Sequence, residues 1–413
     1  MSGILNGMRV IEGSAFVAVP LAGLTLAQMG AEVIRFDRLE GGLDATRWPV
    51  APSGRSHFWA GLNKGKKSVA IDMRAPEGRE LITRLITAPG EDAGLFITNL
   101  AVKGWLDHET LSGIRPDLVS VTLTGDRHGR PQVDYTVNPA LGIPDMTGPE
   151  GSDAPVAHAL PAWDVAAGGH VVNALLAAER HRLRHGAGQG VTLALKDIAA
   201  ATIGHLGMIG EAATTGRARA KCGNALYGAY GQDFLCADGK RVMVIGLTER
   251  QWQGLVKVTG TQEAMERLFR STGQNLSDEG VRFRMRHDLT GILAPWFAAR
   301  PRGMVAKALD AAGVTWAPFR NVVEALAEDP DLGPDNPMFS VLDQPGLGRF
   351  PVPGNPARYT GFARETPAIA PELGAHTESV LSEVGGLDAT EIQGLFDRGI
   401  VGDTTRMRCR SAA

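Results

Sequence analysis

One aspartate, Asp164, stands alone among apolar and small residues in the stretch LPAWDVAAGGHVVNALLAAERHRLRHGAGQG. It precedes a run of helical period that carries Val165, Val172, Leu175 and Leu176. Arg180, Arg182 and Arg184 crowd the last turn and Gly186 follows it, as the helix dipole and C-cap preferences require. The pattern predicts that Asp164 is the N-cap. Free backbone N–H groups and the positive end of the dipole would keep it ionised there even when largely buried. Ala166, Ala167, Gly168 and Gly169 leave room for a ligand beside it. A desolvated, ionised carboxylate next to open space is a candidate nucleophile for covalent catalysis. The plain alternative is a structural N-cap.

Other chemistries fail on spacing or context. GLNKGKKS (61–68) has three residues rather than four between its glycines, places Lys67 before Ser68 and leads into a strand, so it is no P-loop. GAGQG (186–190) lacks the dinucleotide-binding spacing and follows a helix instead of opening one. The first strand–helix turn, EGSAFVAVP, carries no such fingerprint either. His181 and His185 lie four apart among arginines without a zincin glutamate, which reads as a solvated helix end. There is no GxSxG elbow. Cys222, Cys236 and Cys409 form neither a CxxC pair nor a ligand set, so neither metal nor disulfide is expected.

The elements that must position Asp164 are legible from patterning. MRVIEG reads as a strand, PLAGLTLAQMG as a helix closed by Gly30, and AEVIRFD as the next strand. SVAIDM, EGRELITRLIT and GLFITN repeat the alternation, and LVSVTLTG follows. Strands alternating with short helices predict a parallel sheet with crossover helices, an α/β, Rossmann-like domain. GVTLALKDIAAATIGHLGMIGEA predicts a strand running into one long helix. From ALYGAYGQDF onward the pattern turns mixed, predicting a smaller α+β domain. The Pro/Gly-rich segment 329–356 reads as an extended excursion, and the tail as two short amphipathic helices.

The chain has 413 residues, 44% hydrophobic and 21% charged, enough for two or three domains of ordinary globular composition. A net charge of −3 gives no support for nucleic-acid or anionic-membrane partners. No leader-like opening and no bilayer-length apolar stretch is visible, so a cytoplasmic protein is expected.

Taken together, these blocks resemble the class III CoA-transferases, a family that also includes α-methylacyl-CoA racemases. LNGMRVIEGSAFVAVPLAGLTLAQMGAEVIRFDRLEGGLDATRW is similar to the family's opening βαβ unit, and NKGKKSVAIDMRAPEGRE to its Asn-Lys-(Lys/Arg)-Ser-x-x-x-Asp block. GLFITNL, WDVAAGGHVVNALLAAERHRLRHGAGQGVTLALKDI and APELGAHTESVL match later blocks in the same order, so the resemblance spans nearly the whole chain.

The resemblance implies that Asp164 is the covalent nucleophile and that an acyl-CoA is the substrate, with no separate cofactor and no metal. It implies CoA-binding roles for Phe16, Arg38, Ile71, Asn99 and Leu100. Lys103 falls where TNLAVKG departs from the family's usual Glu-Asn-Phe-x-Pro-Gly, which leaves its role open. Arg47 and Tyr135 are candidates for the substrate's free carboxylate. In many relatives a glycine run ending in Gln covers the active site. Here GNALYGAYGQDF stands in its place, making Tyr227, Gly228, Tyr230 and Gly231 candidate lid residues. Bulky residues there predict a tighter cover, suited to moving CoA between two carboxyls of one acid. The alternatives are transfer between two different acids or, further off, racemisation. Racemases place a His just before the Asp of the segment equivalent to VDYTVN, where this chain has Val133.

The resemblance further implies an interlocked homodimer. The expected organisation is a large α/β domain over 1–200, a linker helix over 201–225, a small α+β domain over 226–328, and a connector and return to the large domain over 329–413.

Overall fold

The computed structural model describes residues 3–101 and 103–403; Cys409 lies outside them. Two compact units emerge. One comprises Gly142–His158 and Ala212–Glu328, and the other the remaining described residues.

The larger unit is built on a seven-stranded sheet. Along the chain come β1 (Arg9–Gly13), α1 (Ala18–Gln28), β2 (Glu32–Asp37), α2 (His57–Leu62), β3 (Lys67–Ile71) and α3 (Pro76–Ile86). There follow β4 (Leu95–Thr98), α4 (His108–Ile114), β5 (Val119–Thr124) and α5 (Asp134–Ala140). Short α6 (Ile143–Met146) belongs to the other unit, and the chain returns with α7 (Ala162–His185), β6 (Gln189–Ala194) and α8 (Leu195–His205). Strands β1 to β6 pair in parallel in the order β3-β2-β1-β4-β5-β6. Helices on both faces explain the near-continuous apolar runs, since β4 is buried along its whole length. Helix α3 begins at Pro76 and turns Leu81, Ile82, Leu85 and Ile86 onto the sheet, each buried.

The expected long helix after β6 is instead broken. Gly207 takes a φ of 79° and separates α8 from α9 (Met208–Thr215), so no linker helix spans 201–225.

In the smaller unit, β7 (Tyr230–Leu235) and β8 (Arg241–Gly246) pair antiparallel. Helices α10 (Glu249–Thr259), α11 (Gln262–Thr272), α12 (Glu279–Arg284), α13 (Arg286–Ala298) and α14 (Arg302–Ala311) come next. Then β9 (Thr315–Pro318) pairs with β8, and α15 (Val322–Glu328) closes the unit. Its core gathers Tyr230, Phe234, Trp252, Leu289, Phe297 and Leu309. Residues 142–158, read from sequence as part of the large domain, group with this unit.

The Pro/Gly-rich segment is more ordered than its composition implied. It holds an antiparallel hairpin, β10 (Phe339–Gln344) with β11 (Gly348–Pro353). Its prolines are tolerated because each strand of a two-stranded ribbon is an edge. The tail forms α16 (Thr377–Glu383) and α17 (Ala389–Arg398), then β12 (Val401–Gly402), which pairs antiparallel with β3. Among the described residues, no helix is long and apolar enough to cross a membrane, and no cluster of His, Cys, Asp or Glu could hold a metal ion.

Candidate active site

The strand order reverses at β1, with β2 on one side and β4 on the other. At such a switch point the loops leaving the carboxyl ends of adjacent strands diverge and open a ligand crevice. Here those loops are the β1–α1 turn, carrying Phe16, and the residues after β4, Asn99 and Leu100. They are tied together. Thr98 Oγ1 donates to the Gly13 carbonyl at 2.7 Å, the Ala15 N–H donates to Asn99 Oδ1 at 2.9 Å, and Asn99 Nδ2 donates to the Ala15 carbonyl at 2.8 Å. Between these anchors Phe16 has a φ of 65°, the one left-handed non-glycine residue described.

Beneath the turn lies a charge network that patterning did not reveal. Glu12, Ser14, Arg35, Asp37, Asp44, Asn63 and Lys66 are all buried. Arg35 donates to Asp37 at 2.9 Å, to Asp44 at 3.0 Å, to Asn63 at 3.0 Å and to the Ser14 carbonyl at 3.2 Å. Lys66 donates to Glu12 at 2.9 Å and to the Pro20 carbonyl at 2.8 Å. Burial pushes the Lys66 ammonium down to about 8, against the opposing pull of Glu12. Burial also opposes the Arg35 charge, but Asp37, Asp44 and Glu12 more than offset it and hold the guanidinium protonated. NKGKKS, which lacks P-loop spacing, thus contributes Asn63 and Lys66 to a scaffold under the turn.

Helices α1 and α7 each return from a strand's carboxyl end to the start of a parallel neighbour, so they run the same way. They meet at Gly168, where a Cβ would lie 3.0 Å from the Ala18 carbonyl oxygen and 3.2 Å from a Leu21 methyl. Asp164, one turn earlier on the same face, is brought level with the β1–α1 turn.

The start of α7 departs from the sequence reading. Its N-cap is Pro161 and Asp164 is the third helical residue, not the cap. Proline offers neither an N–H nor a side-chain acceptor. Instead the buried Asp134 of α5 supplies one: its Oδ2 accepts the Trp163 N–H at 2.7 Å and the Asp164 N–H at 3.4 Å. Asn138, one turn along α5, accepts the Trp163 indole N–H at 3.1 Å. Ala162 N–H goes to the Leu160 carbonyl. The first-turn amides are therefore engaged and do not serve Asp164 as a conventional cap. Burial first, and then the Asp134 charge, push the half-buried Asp164 carboxyl up to about 6. The expectation that helix-end amides keep this carboxylate ionised is thus corrected in its cause, since those amides are taken by Asp134. A more basic carboxylate, still mostly ionised at neutral pH, is the stronger nucleophile.

The remaining candidates divide. Arg38 is exposed directly after β2, at the carboxyl edge of the sheet. Leu100 is half-buried, packs against the main core and donates its N–H to Thr98 Oγ1 at 3.0 Å. Exposed Arg47 sets its guanidinium 5.5 Å from the Phe16 ring and 5.2 Å from that of Phe58. Tyr135 is exposed next to Asp134, and Lys103 is exposed after β4. Ile71 does not bring its side chain to a ligand: it is 0% exposed within the main core, because the end of β3 is covered on both faces.

Of the lid candidates, all in the smaller unit, Tyr230 is also corrected. It is buried, stands edge-on to Trp252 at 5.3 Å and bonds Thr290 through its hydroxyl at 3.0 Å. Gly231 is a packing residue, since a Cβ there would lie 2.6 Å from that of Leu226. Tyr227 remains exposed, with the Arg219 guanidinium 3.8 Å over its ring, and Gly228 beside it adopts a φ of 82°.

Comparison with known proteins agrees with this geometry. The family model described as CoA-transferase family III matches residues 5–377. The chain is 54% identical to 2-methylfumaryl-CoA isomerase of Chloroflexus aurantiacus, over 98% of this chain and 100% of that protein. It is 26% identical to human succinyl-CoA:glutarate CoA-transferase, over 96% of this chain and 90% of that protein. Among solved structures, a CAIB/BAIF family protein from Brucella suis superposes with a TM-score of 0.76 at 25% identity, covering 93% of this chain and 100% of that one. With a family model matching most of its length and a 54% identical relative covered end to end, the chain belongs to CoA-transferase family III.

Proposed function

We propose that the chain catalyses intramolecular CoA transfer, converting 2-methylfumaryl-CoA into 3-methylfumaryl-CoA. The observation that carries this reading is the Asp164 carboxylate, raised to about 6 at the crevice, in a chain 54% identical to a 2-methylfumaryl-CoA isomerase.

Asp164 attacks the thioester carbonyl and the C–S bond breaks. This leaves an aspartyl–acyl anhydride and the CoA thiolate. The thiolate attacks the Asp164 carbonyl, giving an aspartyl-CoA thioester and the free dicarboxylate. The dicarboxylate's other carboxylate then attacks Asp164, expelling thiolate and forming a second anhydride. Return of the thiolate to the new acyl carbon yields the product and regenerates Asp164. Successive acyl transfers replace one difficult exchange. In this reading Phe16 and Leu100 line the acyl-CoA path and Arg38 meets its phosphates. Asn99 acts by fixing the turn rather than by touching the ligand, since both halves of its amide are engaged by Ala15. Arg47 and Tyr135 face the free carboxylate, and the chain works as an interlocked homodimer in the cytoplasm.

Transfer between two separate acids is the second reading. It gains from the burial of Tyr230, which removes half of the bulky cover that argued for retention. The test is conversion of unlabelled 2-methylfumaryl-CoA in a large excess of isotope-labelled free 2-methylfumarate. Product free of label is expected. Label entering product as fast as it forms overturns the intramolecular reading.

A further inference from the structure

Pro161 leaves the start of α7 without a side-chain acceptor at its cap, and Asp134 reaches it from a separate helix, thirty positions before Asp164 in sequence. Asp134 is buried, as is Asn138 on the same face of α5, and the two fix the backbone and indole N–H groups of Trp163. Trp163 is the residue next to Asp164, so this pairing sets where Asp164 points.

The same contacts shape the nucleophile's surroundings. A carboxylate at the third position of a helix is ordinarily stabilised by the free first-turn amides, which makes it a weak base. Here the oxygen of Asp134 takes those hydrogens. Of the elements packed on α7, α1, β4, β5 and β6 carry no charged side chain. Helix α8 brings Lys196, Asp197 and His205, α5 brings Asp134 and Tyr135, and α7 itself has His170 two turns on. Asp134 is the one whose charge acts on Asp164, in the same direction as burial.

We propose that Asp134 is a positioning residue for acyl transfer, holding the start of α7 by taking the amides of Trp163 and Asp164 and setting its carboxylate beside that of Asp164. The inference rests on Asp164 being the nucleophile.

The test is the pH dependence of kcat/KM for 2-methylfumaryl-CoA conversion in Asp134→Asn, which keeps an acceptor for the Trp163 amide but loses the charge. The acid limb should move down by a resolvable amount of up to about one pH unit, and turnover at pH 8 should fall severalfold as the nucleophile weakens. Asp134→Glu, with charge restored, should return the limb toward wild type. A folded Asn variant with an unmoved limb reduces Asp134 to a helix cap and overturns the proposal. Asp134→Ser is the second neutral variant, and failure of both to fold assigns Asp134 to folding alone and also overturns it. Asp164→Asn separates the two ideas. If it keeps wild-type turnover, the nucleophile reading fails; if it is inactive while the limb of the Asp134 variants stays put, only the present proposal fails.

Discussion

Asn99, one residue past β4, holds Ala15 through both halves of its amide, accepting the Ala15 N–H at 2.9 Å and donating to the Ala15 carbonyl at 2.8 Å. The turn it closes contains Phe16 in a left-handed conformation that costs an L-residue about 1–2 kcal/mol. Asn99→Ala leaves two backbone groups of a half-buried turn without partners, so a loss of about 1–3 kcal/mol is expected in urea unfolding. KM for the acyl-CoA should rise while kcat changes little. Asn99→Asp keeps the acceptor and loses the donor, and should fall between the two.

Phe16→Gly separates strain from binding. Glycine accepts the 65° φ without penalty, so stability should hold or rise by up to about 1 kcal/mol. The loss of the ring, which also faces the Arg47 guanidinium, should raise KM. Thermal melting and steady-state kinetics on the same preparation check both signs.

Asp164→Asn should stabilise the fold while abolishing turnover. The folded-state carboxyl titrates at about 6 against a usual 3.8, so as pH rises from about 4 the unfolded chain ionises first. The cost to the native state grows between these values and is complete above them. Asn removes it. A gain of about 1–2 kcal/mol is expected at pH 8, allowing for the site's partial exposure, and none at pH 4. Denaturant unfolding of both proteins at the two pH values is the measurement.

Lys66→Ala removes the nearer of two cations from buried Glu12, leaving only Arg35 at 3.9 Å to balance it under the β1–α1 turn. A loss of about 3–5 kcal/mol is expected by chemical denaturation. Lys66→Met, which fills the volume without the charge, should not recover it while Glu12 remains, but the pair Lys66→Met with Glu12→Leu should recover much of it.

The sheet was legible because strands buried on both faces must be apolar runs, and β1 to β5 fall on RVIEG, EVIRFD, KSVAI, LFIT and VSVTLT. What escaped was pairing at long separation. Glu12 and Arg35 read as polar strand positions, yet both are buried because Lys66, Asp44 and Asn63 reach them from the segment between β2 and β3. The start of α7 was misplaced by the same kind of blindness. A carboxylate before an apolar run resembles a cap, but the capping oxygen comes from Asp134 and the helix begins at Ala162. Tyr230 read as a lid residue by position in a loop, whereas it opens β7 and turns into the core of its unit. The hairpin of β10 and β11 was hidden by prolines that an edge strand tolerates.

The most direct test of covalent catalysis is mass spectrometry of the protein after brief incubation with 2-methylfumaryl-CoA and quenching with hydroxylamine. The expected result is a hydroxamate on the peptide carrying Asp164, absent from Asp164→Asn and from protein given hydroxylamine without substrate. A turning-over enzyme with no adduct at Asp164, or with the adduct on another residue, contradicts it.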